Sequence, residues 1–299
     1  MSEPSIQMSV AIVTRNRPTS LDRTLKSLRA QEVQPWEVIV SDDSDAGQVP
    51  EVQRIVAAYD CQYIAGPQCG LYANRNHVAA ACQGTHIRTM DDDHEFPEGH
   101  IKKCLTAIQH DLDSVWVIGE FFSHETIAKS LPPCPGQLHP RGFSVVPDDP
   151  QNCWAIADGS CIFPSKVFSD GHGYVEYFKF GSSFLELGSR LFWLGYRVRF
   201  LETTFIVHHT LEFQEKGSTV WSTSSSSAMD SRVFAMLCHS FIYQPSASNK
   251  ILTCLQIAKD FIIHGKPVVA SMRVALHAYR NQKAMLENRN RNIATKNAG

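Results

Sequence analysis

The sequence has almost no charge imbalance, no cysteine pairs at metal-ligand spacing and no long apolar run, and each absence removes a class of function. Its 28 Lys and Arg stand against 30 Asp and Glu, a formal net charge of −2. No global field recruits nucleic acid, which is not an expected partner. The nine cysteines are odd in number and include no C-x-x-C pair. That argues against a disulfide framework or a zinc site, and for free thiols in a reducing compartment. The opening residues carry no signal-like segment, and apolar runs such as residues 115–122 fall well short of the roughly 20 residues that cross a bilayer. A cytoplasmic protein without a transmembrane anchor is the expectation. No internal repeat is visible.

What the chain does have is 299 residues, 43% of them hydrophobic, enough for a substantial core. Short apolar runs alternate with amphipathic segments through its first part. MSVAIVT (8–14) and WEVIVSDDS (36–44) read as strands. Between them TSLDRTLKSLRAQ (19–31) places Leu21, Leu25 and Leu28 at helical spacing, with Thr19 or Ser20 as N-cap. Helices are expected near 49–59, over 71–83 and after Pro97, and strands near 62–64, up to Met90 and from Ser114. Strands recurring between helices predict an α/β unit with a largely parallel sheet. In such sheets ligands bind outside the carboxyl ends of the strands.

Three polar clusters fall on that rim. Thr14, Arg15, Asn16 and Arg17 follow the first strand, Asp42 to Asp45 the second, and Asp91, Asp92 and Asp93 a later one. Adjacent carboxylates repel, so three in a row need a cation or protonation to be tolerated in a cleft. An oxygen-rich cluster of this kind suits a hard divalent ion that bridges to a diphosphate. The plainer alternative is a solvated acidic loop stabilised by the dipole of the helix after Pro97.

Taken in order, these segments resemble the family 2 glycosyltransferases. The T-x-N-R-P opening is matched by VTRNRPTSLDRTLKSLRAQ (13–31) and the D-D-x-S strand end by VIVSDDSD (38–45). GLYANRNHVAAACQGTHI (70–87) approximates the next signature, and MDDDHEFPEGHI (90–101) the metal-binding D-x-D region. The resemblance implies a GT-A-like fold, a Rossmann-type nucleotide-sugar-binding sheet flanked by helices. It further implies that Thr14 and Asp43 border the nucleobase, that Arg17 and Arg75 lie near the nucleotide, and that Asp91 and Asp92 face the donor. Asp91 and Asp93 would form the D-x-D pair and, with His208, hold Mn2+ or Mg2+. Either arginine can equally be a solvated cation, and a histidine at the end of an apolar strand can be purely structural.

Transfer to an acceptor hydroxyl calls for a general base. The family's acidic pair, counted back from Arg190 in SSFLELGSRLFWLGYRVRF (182–200), falls on Ser183 and Phe184, which cannot take a proton at neutral pH. Glu186 is the nearest carboxylate and the first candidate; its alternative role is an i, i+4 pair with Arg190. Glu176, and Asp158 in IADGSCIF (156–163), are the others.

The resulting expectation is a GT-A-like domain over 1–218, with a nucleotide-binding part near 1–122 and an acceptor-binding part near 150–215. A long loop would separate the two parts. A helical extension over 219–299 would follow, with helices at 227–242 and 247–286. The function expected is inverting, metal-dependent transfer from a nucleoside-diphosphate sugar, UDP-sugar favoured, to a glycan, lipid-linked or small-molecule acceptor. A sugar-nucleotide-binding protein without efficient transfer is the alternative, and a nucleotidyltransferase fits the motifs poorly. The excess of Lys and Arg after Lys250 suits an anionic inner membrane face, a homodimer contact or an ordinary solvated helix face.

Overall fold

A computed structural model describes residues 6–123, 133–209 and 226–297. The first strand β1 (Met8–Thr14) is buried along its whole length, as an unbroken apolar run requires in the middle of a sheet. Helix α1 (Pro18–Arg29) buries Leu21, Leu25 and Leu28 against it. The helix begins at Pro18, ahead of the expected Thr19 or Ser20 cap, because proline's fixed φ suits the first helical position and Ser20 is drawn into the core.

The unit continues through β2 (Glu37–Asp42), α2 (Val49–Ala58), β3 (Gln62–Ala65), α3 (Leu71–Ala81), β4 (His86–Asp91), the two-residue β5 (His94–Glu95), α4 (His100–His110) and β6 (Val115–Phe122). Two short strands, β7 (Gln137–Leu138) and β8 (Ser144–Val145), pair with each other within the expected loop, whose residues 124–132 lie outside the described residues. Then follow β9 (Ser160–Pro164), α5 (Lys166–Ser169), α6 (Ser183–Trp193) and β10 (Val198–His208). The sheet order is β3-β2-β1-β4-β9-β6-β10-β5. Successive side chains alternate between its faces: Val10 and Ile12 pack with α1 and α4, Ala11 and Val13 with α3.

The sheet is mixed where the alternation suggested a largely parallel one. β9 runs antiparallel to both β4 and β6, and β5 antiparallel to β10. Periodicity marks a buried strand but not its direction, so this was not legible in the pattern. The consequence is functional, since the residues preceding β9 reach the rim formed by the carboxyl ends of β4 and β6.

The chain ends in helices α7 (Ser226–Cys238), α8 (Ala247–His264) and α9 (Lys266–Asn297), with one π-helical turn over His239–Tyr243. The helix expected over 247–286 is divided at Gly265, whose φ of 64° a glycine adopts without cost, and Pro267 opens the next helix. Phe178 joins Phe234, Leu237 and Ala275 in one apolar cluster, so these helices share a core with the segment before α6. The Ser-rich 218–226 lies, apart from its last residue, outside the described residues. All nine cysteines are free thiols.

Candidate active site

The loop after β1 is built by Asn16. Its φ of 57° is one that asparagine tolerates, its amide N donates to Ser44 Oγ at 2.7 Å, and its side chain both accepts from the Asp45 amide and donates to Asp45 Oδ2, each at 2.8 Å. These bonds clamp the ends of β1 and β2 together. Thr14 closes β1, Asp42 and Asp43 close β2, and the acidic triplet closes β4 on the same rim.

Each carboxylate of the triplet has a cation from the chain itself. Asp91 accepts from Arg75 Nη2 at 2.9 and 3.0 Å, and the same nitrogen lies 3.0 Å from Asp158 Oδ1. Asp92 accepts from Thr14 Oγ1 at 2.6 Å and Arg17 Nε at 3.2 Å. Asp93 accepts from Arg17 Nη1 at 3.0 Å, and His208 Nε2 stands 3.5 Å from its Oδ2. The triplet is thus compensated without any bound ion. Arg75, 1% exposed, holds Asp91 and Asp158 through Nη2 alone, and its Nε and Nη1 lack a hydrogen-bond partner.

Burial sets the proton positions. It pushes Asp92 up to about 7 despite Arg17. For Asp93 burial acts upward too, but the hydrogen bond with His208 and the charge of Arg17 hold the carboxyl well below its usual range. Burial opposes the charge on His208, yet its bonds to Asp93 and to Glu120, the latter at 3.0 Å, prevail and raise it to about 10. Asp158 is pushed up to about 7 by burial against the pull of Arg75, with Asp91 and Glu120 adding to the rise. Burial also raises Asp43, whose Oδ1 accepts from the Gln68 amide at 2.8 Å.

Residues present here fit a divalent ion. Asp93 Oδ1 and both ring nitrogens of His94, which is fully buried, lack a hydrogen-bond partner. Ligand atoms of Asp93, His94 and His208 lie within 4.8 Å of one another. His94 stands directly opposite His208 in the antiparallel register of β5 and β10, their ring centroids 4.7 Å apart. Two imidazoles with a carboxylate suit Mn2+ better than Mg2+. Sequence reasoning passed over His94, although it directly follows the triplet. It also passed over Glu120, although an acid inside the apolar run of β6 is a signal in itself.

The three carboxylates considered as bases are placed very differently. Glu186 is fully buried, bonded to Arg190 Nε at 2.9 Å and Nη2 at 3.2 Å, and accepts from the Tyr243 hydroxyl. It occupies the i, i+4 pair that was its alternative role. Glu186→Gln leaves the Arg190 charge buried and uncompensated and is expected to cost about 3–5 kcal/mol, seen as a melting point lower by about 10 °C. Glu176 is exposed and accepts from Asn76 Nδ2 on α3 at 2.8 Å, away from the triplet's own bonds. Asp158 alone joins the rim, through the reversed direction of β9. Ser183 is fully buried and Phe184 packs into apolar clusters, so the position of the family's acidic pair carries no proton acceptor.

Gly159 holds this corner open. Its φ is +78°, and a Cβ there would overlap the Asp91 carboxylate and lie 2.9 Å from Arg75 Nη1. Gly159→Ala is expected to displace Asp91 and Asp158 and to abolish turnover. The left-handed backbone adds only about 1–2 kcal/mol of destabilisation, which a melting curve separates from the activity loss.

Residues 9–170 match the profile described as Glycosyl transferase family 2, more than half of the chain. Among curated proteins, Bacillus subtilis YwdF, described as an uncharacterized glycosyltransferase, is 34% identical over 110 residues, covering 35% of this chain and 39% of that protein. The Campylobacter jejuni GalNAc(5)-diNAcBac-PP-undecaprenol beta-1,3-glucosyltransferase is 29% identical over 107 residues, 33% of each chain. The match therefore spans well under half the length of these relatives. Among solved structures, S. aureus TarS 1-349 in complex with UDP-GlcNAc superposes with a TM-score of 0.66 at 12% identity, over 92% of this chain and 82% of that one. GalNAc-T7 with UDP, GalNAc and Mn2+ gives 0.63 at 15% identity, over 89% and 59%. At such identities the likeness establishes the fold, a curled mixed sheet of the GT-A type with a helical C-terminal region.

Proposed function

The chain belongs to glycosyl transferase family 2, and from that premise we propose that it transfers a sugar from a UDP-sugar to an acceptor hydroxyl, with inversion. The observation that carries the proposal is the convergence of Asp43, the acidic triplet, Asp158 and His208 on one rim at the strand ends. Asp43 accepts from the uracil N–H beside Thr14, and Asp91 faces the ribose. Asp93, His94 and His208 would hold a divalent ion. A divalent ion there would offset charge developing on the diphosphate leaving group.

Asp158 serves as the base. It removes the acceptor proton as the acceptor oxygen bonds to the anomeric carbon and the bond to the diphosphate breaks. A carboxyl poised near neutrality is matched to this task. Arg75 fixes its direction, and single displacement from the opposite face inverts the centre. The Campylobacter jejuni relative, whose name gives an undecaprenol-diphosphate-linked sugar, supports a lipid-linked or glycan acceptor for this chain too.

UDP release from UDP-sugars, with Mn2+ present and acceptors added in turn, tests this reading. Acceptor-stimulated release supports it. Tight donor binding with no release under any condition would instead identify a sugar-nucleotide-binding protein, in keeping with Ser183 and Phe184.

A further inference from the structure

Helix α8 is turned inside out. Its polar residues Thr253, Gln256 and Asp260 are buried, while Ile251, Leu255 and Ile262 are 58%, 62% and 82% exposed. The inward polar face is fully engaged. Thr253 Oγ1 donates to the Pro140 carbonyl at 2.7 Å, Gln256 Oε1 accepts from Arg141 Nε at 3.1 Å, and Asp260 Oδ2 accepts from Arg232 Nη2 at 2.7 Å. Rotating the helix to hide its apolar residues would strand those groups, so the outward face is fixed by the inward one.

At about 100° per residue, Ile251, Leu255, Ala258 and Ile262 fall within about 60° of one another on the outer surface. Lys250 and Lys259, both exposed, lie on opposite flanks of that stripe. Lys250 Nζ rests 5.8 Å from the Phe241 ring centroid, itself partly exposed. The one acid of α8, Asp260, is inside and paired, so the charges that α8 exposes are cationic. On α9, exposed Arg273, Arg280 and Lys283 face a single exposed acid, Glu287, among the described residues.

We propose that α8 is an in-plane membrane-docking helix, its stripe of Ile251, Leu255 and Ile262 entering the interface of an anionic bilayer while Lys250 and Lys259 meet lipid phosphates. An apolar stripe with a lysine on each side is the arrangement that such an interface takes. Charge decides against a second copy of the chain. A self-complementary contact would bring the same lysines together with no exposed acid of α8 to receive them. No helix among the described residues is long and apolar enough to cross a membrane, so contact through α8 is lateral. The proposal is independent of the donor site.

The test is co-sedimentation of the full chain with phosphatidylglycerol–phosphatidylcholine vesicles and with pure phosphatidylcholine vesicles. Binding is expected only to the former and is expected to weaken with salt. The double variant Leu255→Gln, Ile262→Gln should lose more than about tenfold in vesicle affinity with an unchanged melting point, because both side chains are already in water. Lys250→Gln, Lys259→Gln should reduce the salt dependence, while Lys102→Gln on α4 should change nothing. Absence of wild-type binding to anionic vesicles, or binding unaffected by the apolar double variant, overturns the proposal. A wild-type dimer in sedimentation velocity that the apolar variant splits, with vesicle binding intact, assigns the face to a second copy instead.

Discussion

Asp158→Asn is expected to lower acceptor turnover by about 10³-fold while leaving donor affinity near its wild-type value. The substitution keeps the size and one polar contact of the side chain, and Arg75 retains Asp91 as its partner. Only the ability to take a proton is removed. Because the carboxyl sits at about 7, wild-type kcat/KM for the acceptor should fall about tenfold per unit as pH drops below that value, and the residual rate of the variant should lack this limb.

Stability separates a catalytic from a structural role for Asp158. Its folded pKa is raised above the ordinary 3.8, so the folded state binds the extra proton between those values and stability falls as pH rises through about 7. Above that pH the ionised carboxylate faces Asp91 and Glu120 and opposes the fold. Asp158→Asn should therefore melt no lower than wild type at pH 8. A lower melting point there would mark Asp158 as a structural partner of Arg75.

The second large effect is expected at Asp93. Asp93→Ala should weaken Mn2+ binding at least about 100-fold, read by the free-ion signal in electron paramagnetic resonance. Replacing a group that only orients a ligand already costs about 10–100-fold, and a ligand itself should cost no less. Burial opposes the charge on His208, but its bonds to Asp93 and Glu120 prevail and raise it to about 10, so an ion bound there would have to displace a proton. Calorimetry in two buffers of different ionisation enthalpy should show close to one proton released per ion bound at neutral pH. Mn2+ should be preferred over Mg2+, because two of the three side chains offer imidazole nitrogen.

The first hundred residues were the most readable part of the chain, for a physical reason. Parallel strands with helices between them place motif and rim in a fixed relation, so T-x-N-R-P, D-D-x-S and the triplet could be put on one edge from their order alone. The carboxylates beyond them could not. Asp158 reaches the rim because β9 is reversed between β4 and β6, and strand direction leaves no mark on periodicity. Glu186 looked available because it falls on the motif's second acidic position, two residues beyond Phe184. Whether it faced acceptor or core depended on Tyr243, 57 residues further on.

His94 was hidden behind the three acids that precede it, and its meaning appears only when the β5–β10 register sets it against His208. α8 was read by composition as a basic segment. Its inverted burial depends on Arg141 and Arg232, partners that no local pattern reveals.

The proposed function turns most directly on whether this rim binds a sugar nucleotide through a metal. Titration of UDP-GlcNAc into the wild-type chain with Mn2+, with EDTA and into Asp93→Ala with Mn2+ measures that dependence. Saturable binding is expected in the first case and its loss in the other two, with all three samples folded. Equal binding in EDTA would contradict the metal's role, and no binding of UDP-GlcNAc, UDP or any other nucleoside diphosphate to the folded chain would contradict the donor site itself.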